Sequence, residues 1–190
     1  MRLHATTVLG VLRDGDGAIG SDGQVTLGDA AVKQKAVKVR PLFGGQVLVG
    51  FAGGAADALT LFEKFEGHLE RYHGHLKRAT VELAREWRSD RILRRLEAML
   101  LVMDRVDLFV VSGNGDVFAA DDNVVAIGSG AGYAMAAGRA LLKHTDLTAE
   151  QICREALRLA GDICIYTNDQ LTVLPFGVGE EGSDEDHITR

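Results

Sequence analysis

The chain has 190 residues, of which 46% are hydrophobic and 25% charged, with a formal net charge of −6. These values exclude a disordered or fibrous chain and leave ample length for one domain with a real core. Five acids and one arginine fall in "GVGEEGSDEDHITR" (177–190), so the rest carries 22 acids against 20 bases. That balance argues against a dedicated nucleic-acid binder, which needs a basic face.

Two cysteines, Cys153 and Cys164, cannot build a framework of bridges and fit a reducing cytosol. No run of about 20 apolar residues reads as a membrane span. The start, "MRLHATTVLGVLRDGDG", has a short apolar stretch interrupted by Arg13–Asp14 and is not a signal peptide. Its first five residues read as a pro-segment or a plain start.

Taken in chain order, "TTVLGVLR" (6–13), "AIGSD" (18–22), "AVKVRPLF" (36–43) and "QVLVGFAG" (46–53) read as strands separated by "DGDG" and "GG" turns. The period then changes. Leu59, Phe62, Phe65 and Leu69 recur at steps of three and four and predict a helix over 55–72. A second helix is predicted from Leu76 to Met103, with Leu76, Thr80, Leu83 and Trp87 on one face and arginines on the other. Strands return over 107–121, with Asn114–Gly115 as a two-residue turn, and over 123–130. Helices follow over 132–145 and 148–164, the latter opened by a Thr148-x-x-Gln151 capping box. "LTVLPF" (171–176) is a last strand, so one domain spans 6–176. The tail beyond it is expected to be disordered.

This order is strands, two helices, strands, two helices, strand. A doubly wound parallel fold would need one-by-one alternation. Paired helices covering the outer faces of two sheets satisfy the pattern, so the fold class is α+β, a four-layer α-β-β-α sandwich.

Several motifs invite chemistry. "GSGAGYA" (128–134) does not match the G-x-G-x-x-G dinucleotide fingerprint and reads as a strand-to-helix turn. His68, His73 and His75 gather at a helix end beside Gly74, where a solvated turn is the plainer reading than a metal site. Cys164 lacks the context of a cysteine nucleophile and reads as a small buried hydrophobe.

The pair Thr6–Thr7 is different. β-propensity explains both. The sharper reading is cleavage of Ala5–Thr6, which makes Thr6 an N-terminal nucleophile with its own α-amine as base. That amine titrates at about 7.7–8.0 unperturbed, near working pH. It needs a neighbouring cation to keep it neutral, a carboxylate to fix the cation, and N–H donors for an oxyanion. Lys38, Asp22 and the "FAGG" turn around Gly53 supply such a set. Each also has a plain reading, as a sheet-edge charge, a turn acid and a strand–helix joint. Thr7 reads as an ordinary strand threonine.

In order and spacing, "TTVLGVLR", "SDGQVTLGD", "VLVGFAGGAADALTLFEKFE", "TVELAREWRSDRILRRLEAML", "SGNGDV", "AIGSG" and "AGDICIYTN" resemble the bacterial HslV (ClpQ) peptidases, proteasome-β-like subunits of an ATP-dependent protease. The resemblance runs from Thr6 to about Val173. It implies the N-terminal nucleophile hydrolase fold and a cytoplasmic threonine endopeptidase acting on unfolded proteins. By that resemblance Thr6 is the nucleophile, Asp22 and Lys38 its charged partners, Gly53 the oxyanion position and Ser129 the serine near the α-amine. Main-chain carbonyls of Gly161, Cys164 and Thr167 would hold a sodium ion. Implied partners are an HslU-type AAA+ ATPase ring, which consumes the ATP, and further copies forming a dodecamer of two hexameric rings. No nucleic acid or membrane partner is implied. Ser21 and Pro41 depart from the family pattern, and residues 1–5 must be removed for Thr6 to act. The rival readings are another N-terminal nucleophile amidohydrolase and a catalytically dead ring scaffold.

Overall fold

The chain begins with a two-residue strand, β1 (Leu3–His4), followed by the hairpin β2 (Thr7–Arg13) and β3 (Asp16–Ser21). Asp14 and Gly15 turn this hairpin, both at positive φ (53° and 81°), as a turn matched to right-handed strand twist requires. Two short strands, β4 (Val25–Leu27) and β5 (Ala30–Lys33), precede a second hairpin of β6 (Val39–Leu42) and β7 (Val47–Gly53). Helices α1 (Ala55–Arg71) and α2 (Leu76–Ser89) come next. Then follow β8 (Ala98–Met103), β9 (Leu108–Ser112), β10 (Val117–Ala119) and β11 (Val124–Gly128). Helices α3 (Ala131–His144) and α4 (Ala149–Ile163) lead to β12 (Thr172–Pro175). These elements come from a computed structural model that describes residues 3–4, 6–91, 93–96 and 98–177. The acidic stretch 178–190 lies outside the described residues.

Two antiparallel sheets face each other, ordered β11-β2-β3-β12 and β10-β9-β8-β7-β6, with β1-β4-β5 as a small third sheet. Three apolar layers hold the sandwich together. Val8, Leu12, Ile19, Leu48, Leu101 and Met103 fill the space between the two large sheets. Phe65, Leu83, Trp87, Val49 and Val102 join α1 and α2 to the five-stranded sheet. Leu9, Val11, Ile152 and Leu157 join α3 and α4 to the other. Alternate residues of β2, β7 and β8 thus enter different layers, which is why these strands are apolar throughout rather than alternating. The expected four-layer arrangement is the one observed.

The predicted helix over 76–103 is corrected. It ends at Ser89, Asp90 is extended, and its carboxylate accepts the Leu93 N–H at 3.0 Å. "AMLLVM" (98–103) is the central strand β8, not the helix's last turns. A short, continuous apolar run fits a buried helix or a doubly buried strand equally, and only the second sheet decides. The predicted strand over 36–43 shortens to Val39–Leu42, at the sheet edge, where Pro41 is tolerated because no neighbour needs its N–H. In the β9–β10 hairpin only Gly115 is left-handed (φ 79°), and Ser112 N–H bonds Asp116 O, giving a three-residue loop instead of a two-residue turn. The Thr148–Gln151 capping box is present with both bonds, at 3.2 and 2.9 Å.

Leu101 is fully buried between the sheets, among groups that cannot all move in to fill a void. Leu101→Ala should lower unfolding free energy by about 2–5 kcal/mol, read from the urea midpoint at unchanged m-value.

Candidate active site

Asp22 follows the last residue of β3 and is fully buried. Its Oδ1 accepts the Thr7 N–H at 2.8 Å and the Lys38 ammonium at 2.9 Å. Its Oδ2 accepts Gln24 N–H at 2.9 Å and, at 3.4 Å, Asn168 N–H. Lys38 immediately precedes β6, is 2% exposed, and also donates to Gln24 O at 2.6 Å. Burial pushes the Lys38 ammonium below its ordinary value of 10.5, and the charge and hydrogen bond of Asp22 offset part of that. The two nearby lysines are exposed, so Lys38 is the one the fold buries.

Thr6 stands immediately before β2 and is 3% exposed. Its carbonyl accepts the Ser129 N–H at 2.8 Å. That bond depends on Gly128, which sits at φ 95°, and where any Cβ would lie 1.8 Å from the Thr6 oxygen. Behind Thr6, the Thr7 hydroxyl accepts the Gly130 N–H at 2.9 Å and pairs with the Thr167 hydroxyl at 2.7 Å. Thr7 is therefore no ordinary strand threonine. It is fully buried and ties β2 to the β11–α3 turn and to the loop after α4. In the full-length chain the Thr6 nitrogen is an amide, joined to Ala5. The segment before it is not featureless: β1 pairs with β4, Leu3 opposite Leu27 and His4 opposite Thr26.

Thr6, Lys38, Thr26, Phe51 and Gly53 line one cleft of about 620 Å³. Its wall is largely apolar, with Arg40 stacked over the Phe62 ring at 4.5 Å. Gly53 ends β7 at φ 144° and is followed by Gly54, the N-cap of α1. The free N–H groups of a helix start therefore stand beside the cleft. Pro41 lies outside this lining. Ser21 is fully buried, and its hydroxyl has no hydrogen-bond partner among the described residues.

The structure thus brings Thr6, Lys38 and Gly53 to one cleft, with Asp22 buried behind Lys38 and Ser129 at the back of Thr6. Gly161, Cys164 and Thr167 lie at the end of α4 and in the loop after it, outside the cleft lining. Gly161 is in the last turn of α4, where carbonyls lack an intrahelical donor, and Cys164 O accepts Thr167 N–H at 2.9 Å. A Cβ on Gly161 would lie 3.2 Å from Asn168 O, so helix end and loop run close together. Among the described residues no three His, Cys, Asp or Glu side chains gather as a metal site. His68 instead meets Glu86 at 2.8 Å. Sequence reasoning missed the main-chain groups of Gln24 and the side chains of Thr7, Thr167 and Asn168. Only the adjacency of Thr7 to Thr6 was a signal.

Residues 3–174 match the family of proteasome subunits. The chain belongs to that family. As a proteasome-family subunit it is a threonine-type peptidase with the N-terminal nucleophile hydrolase fold. It is 60% identical over 171 residues to the ATP-dependent protease subunit ClpQ of Bacillus subtilis, covering 88% of this chain and 94% of that one. The ATP-dependent protease subunit HslV of Oceanobacillus iheyensis is 55% identical over 175 residues, covering 91% and 97%. The crystal structure of eukaryotic HslV from Trypanosoma brucei superposes with a TM-score of 0.85 at 42% identity, covering 89% of this proteasome-family chain and 98% of that chain.

Asp22→Asn would leave Lys38 buried without its counter-ion, and such a loss costs about 3–5 kcal/mol. A lysine whose folded pKa lies below its unfolded one penalises folding wherever the unfolded chain holds the extra proton. The stability gap to wild type should therefore be widest near neutral pH and narrow as pH rises toward 10.5. Urea midpoints of both proteins across that range check this; a gap independent of pH would contradict it.

Proposed function

We propose that removal of residues 1–5 frees Thr6 as the nucleophile of an N-terminal threonine endopeptidase. The observation that carries this reading is Lys38, which lines the same cleft as Thr6 and is held from behind by the fully buried Asp22. Thr6 Oγ attacks the scissile carbonyl carbon while the freed α-amine takes the hydroxyl proton, directly or through a water. Lys38, held by Asp22, disfavours a protonated amine, since two cations in a poorly solvated site repel. The Gly53 N–H donates to the developing oxyanion, a contribution of about 2.7–4 kcal/mol per donor in comparable sites. The ammonium then protonates the leaving amine, and water hydrolyses the acyl-enzyme with the amine again as base. Ser129 holds the Thr6 carbonyl through its N–H and so orients the reacting residue.

The substrate is an unfolded polypeptide, which an extended cleft of this kind accepts. Delivery by an HslU-type AAA+ ring that consumes ATP is supported by the relatives named as ATP-dependent protease subunits. A dodecamer of two hexameric rings, acting in the cytoplasm, belongs to the same reading. No helix of the described residues is long and apolar enough to cross a membrane. The carbonyls of Gly161, Cys164 and Thr167 would hold a sodium ion, whose charge would steady the loop that carries Thr167.

Mass spectrometry of the assembled protein should show residue 6 as the N-terminus. Thr6→Ala, released at residue 6 by an engineered upstream cleavage site, should lose about 10⁴-fold or more in peptide hydrolysis. Wild-type rates from that variant would end the proposal. Replacing sodium with a bulky organic cation should lower the Tm of the wild-type protein; an unchanged Tm would remove the ion from the scheme.

A further inference from the structure

The cleft wall opposite α1 includes the segment between β5 and β6. Val32, Lys33, Ala36 and Val37 face into the cleft lining, yet Gln34, Lys35 and Val37 are exposed. On the other side of the same segment, Lys35, Ala36 and Val37 line a second hollow of about 410 Å³ with Asp169 and Gln170. A wall with space on both sides needs something to fix its position. Ala36 N–H donates to Gly23 O at 2.9 Å. A second tie is Asn168.

The Asn168 amide is used at both ends. Its Oδ1 accepts Gly23 N–H at 3.0 Å and Gln170 N–H at 3.2 Å. Its Nδ2 donates to Gln34 O at 2.9 Å and to Gln34 Oε1 at 2.8 Å. Only this orientation of the amide satisfies all four partners, because two are donors and two acceptors. Its own N–H reaches Asp22 Oδ2 at 3.4 Å. One side chain therefore ties the cleft wall at Gln34 to the loop that carries Asp22, across more than a hundred residues of sequence. Gly23 permits the close approach: a Cβ there would lie 2.3 Å from Gln34 O.

We infer that Asn168 is a positioning residue that sets the distance between the Gln34–Val37 wall and the catalytic floor, and so determines how tightly the cleft grips a peptide. This rests on the proposed function of the cleft. A wall contact acts on bound substrate and transition state alike, so its loss raises KM and spares kcat.

Asn168→Asp keeps the acceptor for Gly23 and Gln170 but turns an oxygen toward Gln34 O. Two lost hydrogen bonds predict a KM for a fluorogenic peptide raised about tenfold, with kcat within about twofold. Asn168→Ala also frees Gly23 N–H and should lower kcat in addition. Amide hydrogen exchange over 33–37 should be faster in both variants, a readout that needs no activity. Unchanged exchange and a KM within about twofold of wild type would overturn the inference. The reading of the cleft itself fails separately, if wild type cleaves no peptide or Thr6→Ala cleaves as well as wild type.

Discussion

The bond between Lys38 and Asp22, 2.9 Å long and almost wholly shut off from solvent, is the constraint around which the rest is arranged. A buried ion pair is tolerated only if its remaining hydrogen-bonding capacity is filled. Here it is filled by the neighbouring Gln24 and by two parts of the chain that are remote in sequence. Thr7 N–H comes from β2, Gln24 from the loop after β3, and Asn168 N–H from the loop after α4. Satisfying one carboxylate therefore brings together three segments, and one of them begins at Thr6.

The fold supplies the rigidity this needs. β2 and β3 are buried on both faces, so neither strand can slip by one residue without moving its apolar side chains into the wrong layer. Thr6 and Asp22 stand at the same end of that pair, because Val8 is opposite Ser21. The second sheet contributes Lys38 and Gly53 from the near ends of β6 and β7. The cleft is where the ends of two sheets and the start of α1 meet, a place that leaves main-chain donors free beside apolar walls.

Small residues at the back of the site are used for approach rather than flexibility. Gly128 and Gly130 let the turn before α3 touch Thr6 O and the Thr7 hydroxyl, and Gly23 lets Gln34 lie against the Asp22 loop. Thr7 shows how a residue that reads as plain sheet filler becomes a junction. Its hydroxyl joins two loops whose positions no local pattern encodes. Asn168 is more extreme, since an asparagine after a helix is common in any loop.

The amino-acid sequence by itself determined the order of layers, the hairpin at Asp14–Gly15, the presence though not the loop length of the hairpin around Asn114–Gly115, the capping box, and the threonine, lysine and aspartate that the fold brings together. These follow from period, turn chemistry and the cost of burying a lysine, all of which are local or pairwise. Tertiary structure decided that 98–103 is a strand, because a six-residue apolar run takes its conformation from the sheets it lies between. It also decided the work of Thr7, Thr167 and Asn168. Their hydrogen bonds span up to 160 residues, and only the closed sandwich brings such partners within 3 Å.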